Sequence, residues 1–220
     1  MATCYVRPMT KEDIAQVTEI DREAFPTQWP PPNYQNELRN HMAFLSVVCD
    51  GEKPATLLAE ELGGEKKRSK LSSWLKQLFT GNTSLGDKPV QSTNDRIIGF
   101  VGSWIMADEA HITSVAVRET HRRQGIGEML IIDAIELAMK MKADILTLEV
   151  RVSNTGAQSL YSKYSFIQVG LRKAYYTDNR EDAVIMSTDK ISTPAFQTRF
   201  QELKQAHARR NAVTGKTPSG

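Results

Sequence analysis

Residues 110–130, A-H-I-T-S-V-A-V-R-E-T-H-R-R-Q-G-I-G-E-M-L, constrain the fold more tightly than any other stretch of the chain. Ile112, Val115, Ala116 and Val117 have the composition of a buried strand. Two arginines and two closely spaced glycines follow, and the apolar residues then change period. Leu130, Ala134, Leu137, Ala138 and Met141 fall on one face of a helix. A strand, a short basic turn and an amphipathic helix in that order predict an α/β (α+β) unit with an anion site at the turn. The first N–H groups of a helix have no acceptor of their own, and its dipole makes that end partly positive. Glycine lets a phosphate come close to the backbone. The two arginines add full charges and forked donors.

The turn is not a P-loop, since G-x-x-x-x-G-K-[ST] is absent. A dinucleotide fingerprint needs a third glycine, where Leu130 stands. Glu149 has about the ~20-residue offset of a ribose-binding acid, but its strand runs on through Val150 and Arg151, so that reading ranks low. R-R-Q-G-I-G after an apolar strand closely resembles the pyrophosphate loop of the Gcn5-related N-acetyltransferase superfamily. The resemblance implies an acyl-CoA N-acyltransferase fold, a mixed and mostly antiparallel central sheet flanked by helices. It also implies that Arg122, Arg123, Gln124, Gly125, Ile126, Gly127 and Glu128 form the loop for the diphosphate of acetyl-CoA. The backbone of Val115, Ala116 and Val117 would then pair with the pantetheine arm.

A chain of 220 residues can build one sizeable core with appendages. A net charge of +2 gives no ground for direct DNA binding. Cys4 and Cys49 make neither a disulfide framework nor a metal-ligand spacing, and four unpaired histidines suggest no metal. With no bilayer-length apolar run and no signal peptide, a reducing cytoplasmic compartment is the expectation.

Strands are expected at residues 5–7, 44–49, 97–105, 110–118, 145–151, 166–169 and 183–187. Helices are expected from Thr10 to Ala24, across 34–40, after Gly127 and across 154–164. The strands at 97–105 and 110–118 should pair antiparallel, because only a short turn joins them. Residues 1–187 read as one domain. Within it, 61–95 reads as a long, partly disordered insertion carrying a short basic amphipathic helix of Leu71, Trp74, Leu75, Leu78 and Phe79. Covering its own domain is the preferred role for that helix, ahead of a membrane or a partner. Residues 188–220 read as a basic tail, helical over 194–210 and disordered beyond. Such a tail is usually solvated, with RNA contact the other option.

A second block, L-E-V-R-V-S-N-T-G-A-Q-S-L-Y-S-K-Y-S-F at 148–166, narrows the resemblance. With F-P-T-Q-W near the start and A-Y-Y followed by E-D-A-V-I-M, it resembles the ribosomal-protein-alanine N-acetyltransferases. These acetylate the α-amine of a small-subunit ribosomal protein. The resemblance implies Glu149 as base, Tyr161 as acid and Asn154 on the pantetheine arm. Trp29, Tyr175 and Tyr176 are candidate walls of a peptide groove. Acyl transfer to an amine needs a proton taken from the ammonium and one given to the departing thiolate. Neutralising an α-amine at pH 7 costs about 1 kcal/mol and a lysine about 5, which favours the terminus. A lysine or small-amine acetyltransferase and a non-catalytic acyl-CoA-binding module are the alternatives.

Overall fold

The structure, a computed structural model, describes residues 4–27, 32–51 and 95–214. Trp29 and the expected insertion, apart from Asp95, lie outside the described residues. Seven strands form one sheet: β1 (Cys4–Pro8), β2 (Ala43–Asp50), β3 (Arg96–Met106), β4 (Glu109–Val117), β5 (Ile145–Arg151), β6 (Phe166–Arg172) and β7 (Ala183–Thr188). Their order is β1-β2-β3-β4-β5-β7-β6, and every neighbouring pair is antiparallel except β4 and β5. A parallel pair needs a crossover, and α3 (Ile126–Lys140) supplies it.

Two apolar layers cover the sheet. On one face α3 buries Leu130, Ile131, Ala134, Ile135 and Ala138 against Ile98, Ile112, Leu146 and Leu148. On the other face α1 (Ile14–Ala24) and the single turn α2 (Tyr34–Glu37) bring Val17, Ile20 and Tyr34 onto Val47, Ile97 and Phe100. The second helix is shorter than its sequence suggests. Asn33 caps it by accepting from the Asn36 N–H, and its last turn ends at Glu37.

The chain enters α1 through a buried ion pair. Arg7 meets Asp13 with two hydrogen bonds of 2.6 and 2.9 Å, and Asp13 also accepts from the Thr10 N–H at 2.8 Å. Asp95 belongs to the same cluster: it takes the Tyr5 hydroxyl at 2.7 Å and Arg7 Nε at 3.3 Å. Cys4 and Cys49 are not joined by a disulfide; Cys49 stands opposite Tyr5, and Cys4 opposite Asp50. Adjacent residues of a strand face opposite sides of the sheet, so the two thiols do not meet.

Residues 194–214 do not form a solvated tail. They form α5 (Pro194–Thr214), which buries Phe196 and Phe200 in the larger core and ties Lys204 to Glu136 of α3. The two aromatics are four residues apart and so lie on one helical face, which outweighs the basic composition around them.

Among the described residues, Asp133 of α3 has one buried carboxylate oxygen, Oδ2, with no hydrogen-bond partner. Burial, aided by the Glu136 charge, raises this carboxyl above the usual range even though Ser46 hydrogen-bonds it. The folded chain therefore holds this proton more tightly than the unfolded one. Stability is lost as pH rises from the ordinary carboxylate value through the folded one. Asp133→Asn should gain about 1 kcal/mol at pH 7 by removing the buried charge. The gain should shrink toward pH 4, as read by urea denaturation at the two pH values.

Candidate active site

The site begins where β4 and β5 part. Their pairing runs from Glu109↔Ile145 to Ile112↔Leu148 and stops, although β4 continues to Val117 and β5 to Arg151. A bulge accompanies the parting. Gly102 of β3 faces Ser114 and Ser103 faces Ile112, which leaves Thr113 as an extra residue on β4. A bulge bends its strand and increases the local twist. Gly102 is needed opposite it, because a Cβ there would lie 2.9 Å from the hydroxyls of both Thr113 and Ser114. Beyond the fork, Val115, Ala116 and Val117 are bonded to β3 on one side only, and their other edge opens toward β5.

The basic turn closes one end of the fork. The Arg122 N–H bonds the Glu119 carbonyl, and Arg122 Nε bonds the Val117 carbonyl at 3.2 Å. Arg123 and Gly125 both have left-handed backbone, with φ of +63° and +84°. Left-handed residues in such a turn aim successive N–H groups into one concavity, which is an anion nest. The first helical bond, from the Met129 N–H to the Gly125 carbonyl, leaves the N–H groups of Ile126, Gly127 and Glu128 without intrahelical acceptors. Arg122 and Arg123 are exposed, while the Ile126 side chain is core, so Ile126 offers only its backbone.

Glu128 departs from the expected loop. Its carboxylate turns away to α4 (Thr155–Lys163) and α5, where it meets Lys163, the Tyr164 hydroxyl at 2.7 Å and Arg210 at 2.8 and 2.9 Å. Burial alone would raise this carboxyl. The bonds from Lys163 and Tyr164, with the His207 charge, bring it below its usual value. A carboxylate facing a diphosphate would repel it, and these partners explain why an acid is tolerated here.

Glu149 lies one residue past the last paired position of β5, with a side chain only 8% exposed. It meets His111 Nε2 and Arg172, each at 3.2 Å. His111 Nδ1 is 2.9 Å from Thr147 Oγ1, and that hydroxyl donates to Glu109. His111 thus bridges Glu149 and Thr147 through its two ring nitrogens.

Tyr161 sits on α4, buried, with its ring 5.9 Å from that of Phe166. Burial first, and the neighbouring Tyr176 second, push its phenol up to about 12. Asn154 is the N-cap of α4, its side-chain oxygen accepting from the Ala157 N–H at 3.1 Å. Tyr175 and Tyr176 stand edge to face after β6, with Arg151 over the Tyr176 ring at 3.8 Å. Glu149 raises both phenols through its charge, as a secondary contribution to burial. Glu149, Tyr161, Tyr175 and Tyr176 thus share one electrostatic neighbourhood. Arg151 also binds Asp178 and Glu181, and Thr27 donates to Asp178 at 2.9 Å. The segment after α1 is thereby tied to the loop before β7 across the groove.

The match to known proteins follows this geometry. The family model described as Acetyltransferase (GNAT) family matches residues 65–166. A Bacillus subtilis protein, provisionally named a ribosomal protein bS18-alanine N-acetyltransferase, is 33% identical over 82% of this chain and 92% of its own length. The chain belongs to the GNAT acetyltransferase family. Its fold resembles the ribosomal-protein-S18-alanine N-acetyltransferase of Escherichia coli, with a TM-score of 0.60 and 21% identity over 86% of this chain and 94% of that one. It also resembles a GNAT family acetyltransferase from Elizabethkingia anophelis with acetyl-CoA bound, with a TM-score of 0.53 and 18% identity over 84% and 97%.

The enzyme's own features are compatible with such a coenzyme: a concave turn of backbone N–H groups, two arginines beside it, and an open strand edge leading to Glu149. Among the described residues no cluster could hold a metal ion, and no helix is long and apolar enough to cross a membrane. His111 and Arg172 are the partners of Glu149 that the sequence reading missed. The signal for His111 is its place at the start of β4, two strand positions from the fork. Only the β4–β5 register, which sets His111 opposite Thr147, turns that place into a contact.

Proposed function

We propose that this GNAT enzyme transfers the acetyl group of acetyl-coenzyme A to the α-amine of a protein N-terminus. Ribosomal proteins, the substrates named for its relatives, are the first to try. The observation that carries the proposal is a nearly buried carboxylate, Glu149, at the mouth of a strand fork whose far end is an anion nest.

The coenzyme, when bound, supplies the acetyl group as a thioester. The nest of Arg122, Arg123, Gln124, Gly125, Ile126 and Gly127 holds the diphosphate, with Glu128 giving only its backbone N–H. The open edge of Val115, Ala116 and Val117 orients the arm, and Asn154 contributes from the start of α4. Glu149 takes a proton from the incoming ammonium, directly or through water, so that the nitrogen lone pair can form the new C–N bond. His111 and Arg172 hold that carboxylate in place. As the C–S bond breaks, Tyr161 would give its phenolic proton to the sulfur and regain one from the second proton that the nitrogen sheds as the amide forms. A phenol pushed up to about 12 keeps that proton at neutral pH until the thiolate needs it. Tyr175 and Tyr176 present rings and hydroxyls to the peptide.

An α-amine suits a single carboxylate, because it gives up its proton at a cost of about 1 kcal/mol at pH 7 against about 5 for a lysine. Purified protein with acetyl-CoA should acetylate alanine-starting peptides with a free N-terminus. The same peptides, N-terminally blocked and carrying one lysine, should react at least about tenfold more slowly, as should polyamines. Mass spectrometry of the products checks this. Equal or faster reaction of the blocked peptides would overturn the α-amine assignment.

A further inference from the structure

The basic turn is made of residues with little conformational restraint of their own. Gly125, which caps α3, has left-handed backbone and no side chain, and Arg123 before it is left-handed too. Packing from two sides holds them in place. On one flank is α4. Its Leu160 lies 3.5 Å from where a Cβ at Gly127 would be, and the Arg123 guanidinium lies 3.9 and 4.0 Å from where a Cβ at Gly156 would be. On the other flank is α5. His207, only 6% exposed, sets its ring carbon Cε1 3.3 Å from where a Cβ at Gly125 would be. There is room at Gly125 for the imidazole or for a side chain, but not for both.

The same helix also grips the first turn of α3. His207 Nδ1 lies 3.5 Å from Glu128 Oε2, and Arg210 bonds the Glu128 carboxylate at 2.8 and 2.9 Å. Lys163 and the Tyr164 hydroxyl reach that carboxylate from the side of α4. Glu128 is thus a joint where α3, α4 and α5 meet. Burial pulls the His207 imidazole below its ordinary value, against the pull of Glu128, so at pH 7 it acts as a neutral ring. We propose that α5 is a brace that sets the shape of the anion nest, with His207 as the positioning residue at Gly125 and Glu128 as the joint to α3. The brace lies outside residues 65–166, the span that the family model matches, and it rests on the coenzyme reading above. A nest shaped before the diphosphate arrives meets its ordering cost in folding rather than in binding. The coupling is reciprocal. If docked α5 favours bound coenzyme, bound coenzyme favours docked α5 by the same factor.

Hydrogen exchange read by mass spectrometry on the native full chain tests that reciprocity. Amides of α5 around His207 should exchange at least about fivefold more slowly with CoA bound. Calorimetry supplies the second readout. His207→Ala should bind CoA and 3′-dephospho-CoA each about tenfold more weakly, since both carry the diphosphate. With acetyl-CoA saturating, its kcat and its KM for an N-terminal peptide stay near native, whereas a misfolded fraction would lower kcat and binding stoichiometry together. If His207→Ala does not fold, exchange in the native chain decides. Arg209→Ala, on the same helix and bonded to Gln205, should keep the native Kd. Unchanged exchange in α5, or a native Kd for His207→Ala, overturns the brace. So does a loss seen for CoA but not for 3′-dephospho-CoA, because α5 would then touch the ribose phosphate directly. If the native chain binds neither ligand, the coenzyme reading falls and takes the brace with it.

Discussion

Glu149→Gln lowers kcat for an N-terminal peptide by about 10²- to 10⁴-fold at pH 7, the range for loss of a general base. Its affinity for acetyl-CoA stays near native, because the nest proposed for the diphosphate is built from a different turn. The variant stays folded: Gln is nearly isosteric, and its amide oxygen can still accept from Arg172 while its NH2 faces His111. Raising the pH should restore part of the lost rate, since a larger fraction of the α-amine is then already neutral and the base has less to do. Stopped assays of initial rate across pH 6.5–9, beside calorimetry with acetyl-CoA, separate the two outcomes. A kcat within a few-fold of native, or an equal loss of coenzyme binding, would remove Glu149 from the role of base.

Asp13→Ala destabilises the fold by about 3 kcal/mol or more, the cost of leaving a buried charge without its partner. Arg7 and Asp13 have side chains 9% and 5% exposed, and removing the carboxylate leaves the guanidinium with its 3.3 Å contact to Asp95 and its 3.2 Å bond to the Pro8 carbonyl in place of a paired charge. The Thr10 N–H loses its acceptor at the same time. Replacing both partners, as Arg7→Met with Asp13→Leu, should recover part of the loss, because no guanidinium is then stranded, although Asp95 gives up its contact with Arg7. Burial works to raise the Asp13 carboxyl, but the Arg7 and Thr10 bonds win and hold it below its usual value. Its contribution is thus present above the ordinary carboxylate range and is lost as pH falls through the folded value. Urea denaturation of the native chain, Asp13→Ala and the double variant at pH 7 and pH 4 measures all three effects.

Much of this fold was legible because its signals are local. The alternation of Leu146, Leu148 and Val150 with Thr147, Glu149 and Arg151 appears unchanged in the burial of β5. The switch of period after Gly127 marks α3, and an asparagine, Asn154, stands at the start of α4 and caps it. Less visible was the length of β6. It runs to Arg172, past the expected stop at Val169, because the register shift between Gln168 and Gly170 lets pairing with β7 resume. The packing of α5 was legible in principle through Phe196 and Phe200, but a basic composition masks an apolar pair when charge is counted first.

The site divides along the same line. Its residue types were evident from the motifs: two glycines, two arginines, a strand glutamate, a helix tyrosine. Its contacts were not, since each joins residues far apart in the chain. His111 reaches Glu149 only because β4 and β5 pair in one parallel register. The family's two motifs make a single site only because Thr113 bulges and the strands part there.

What this sequence determined by itself is where each strand and helix lies and which residues carry charge and reactivity, because hydrophobic period, capping and glycine placement act over a few neighbours. Only the tertiary structure decided that Glu149 is held by His111 and Arg172, and that Glu128 turns from the nest to α5. Those outcomes depend on strand order, register and helix packing, which balance burial against chain entropy across the whole molecule and leave no mark in any short segment.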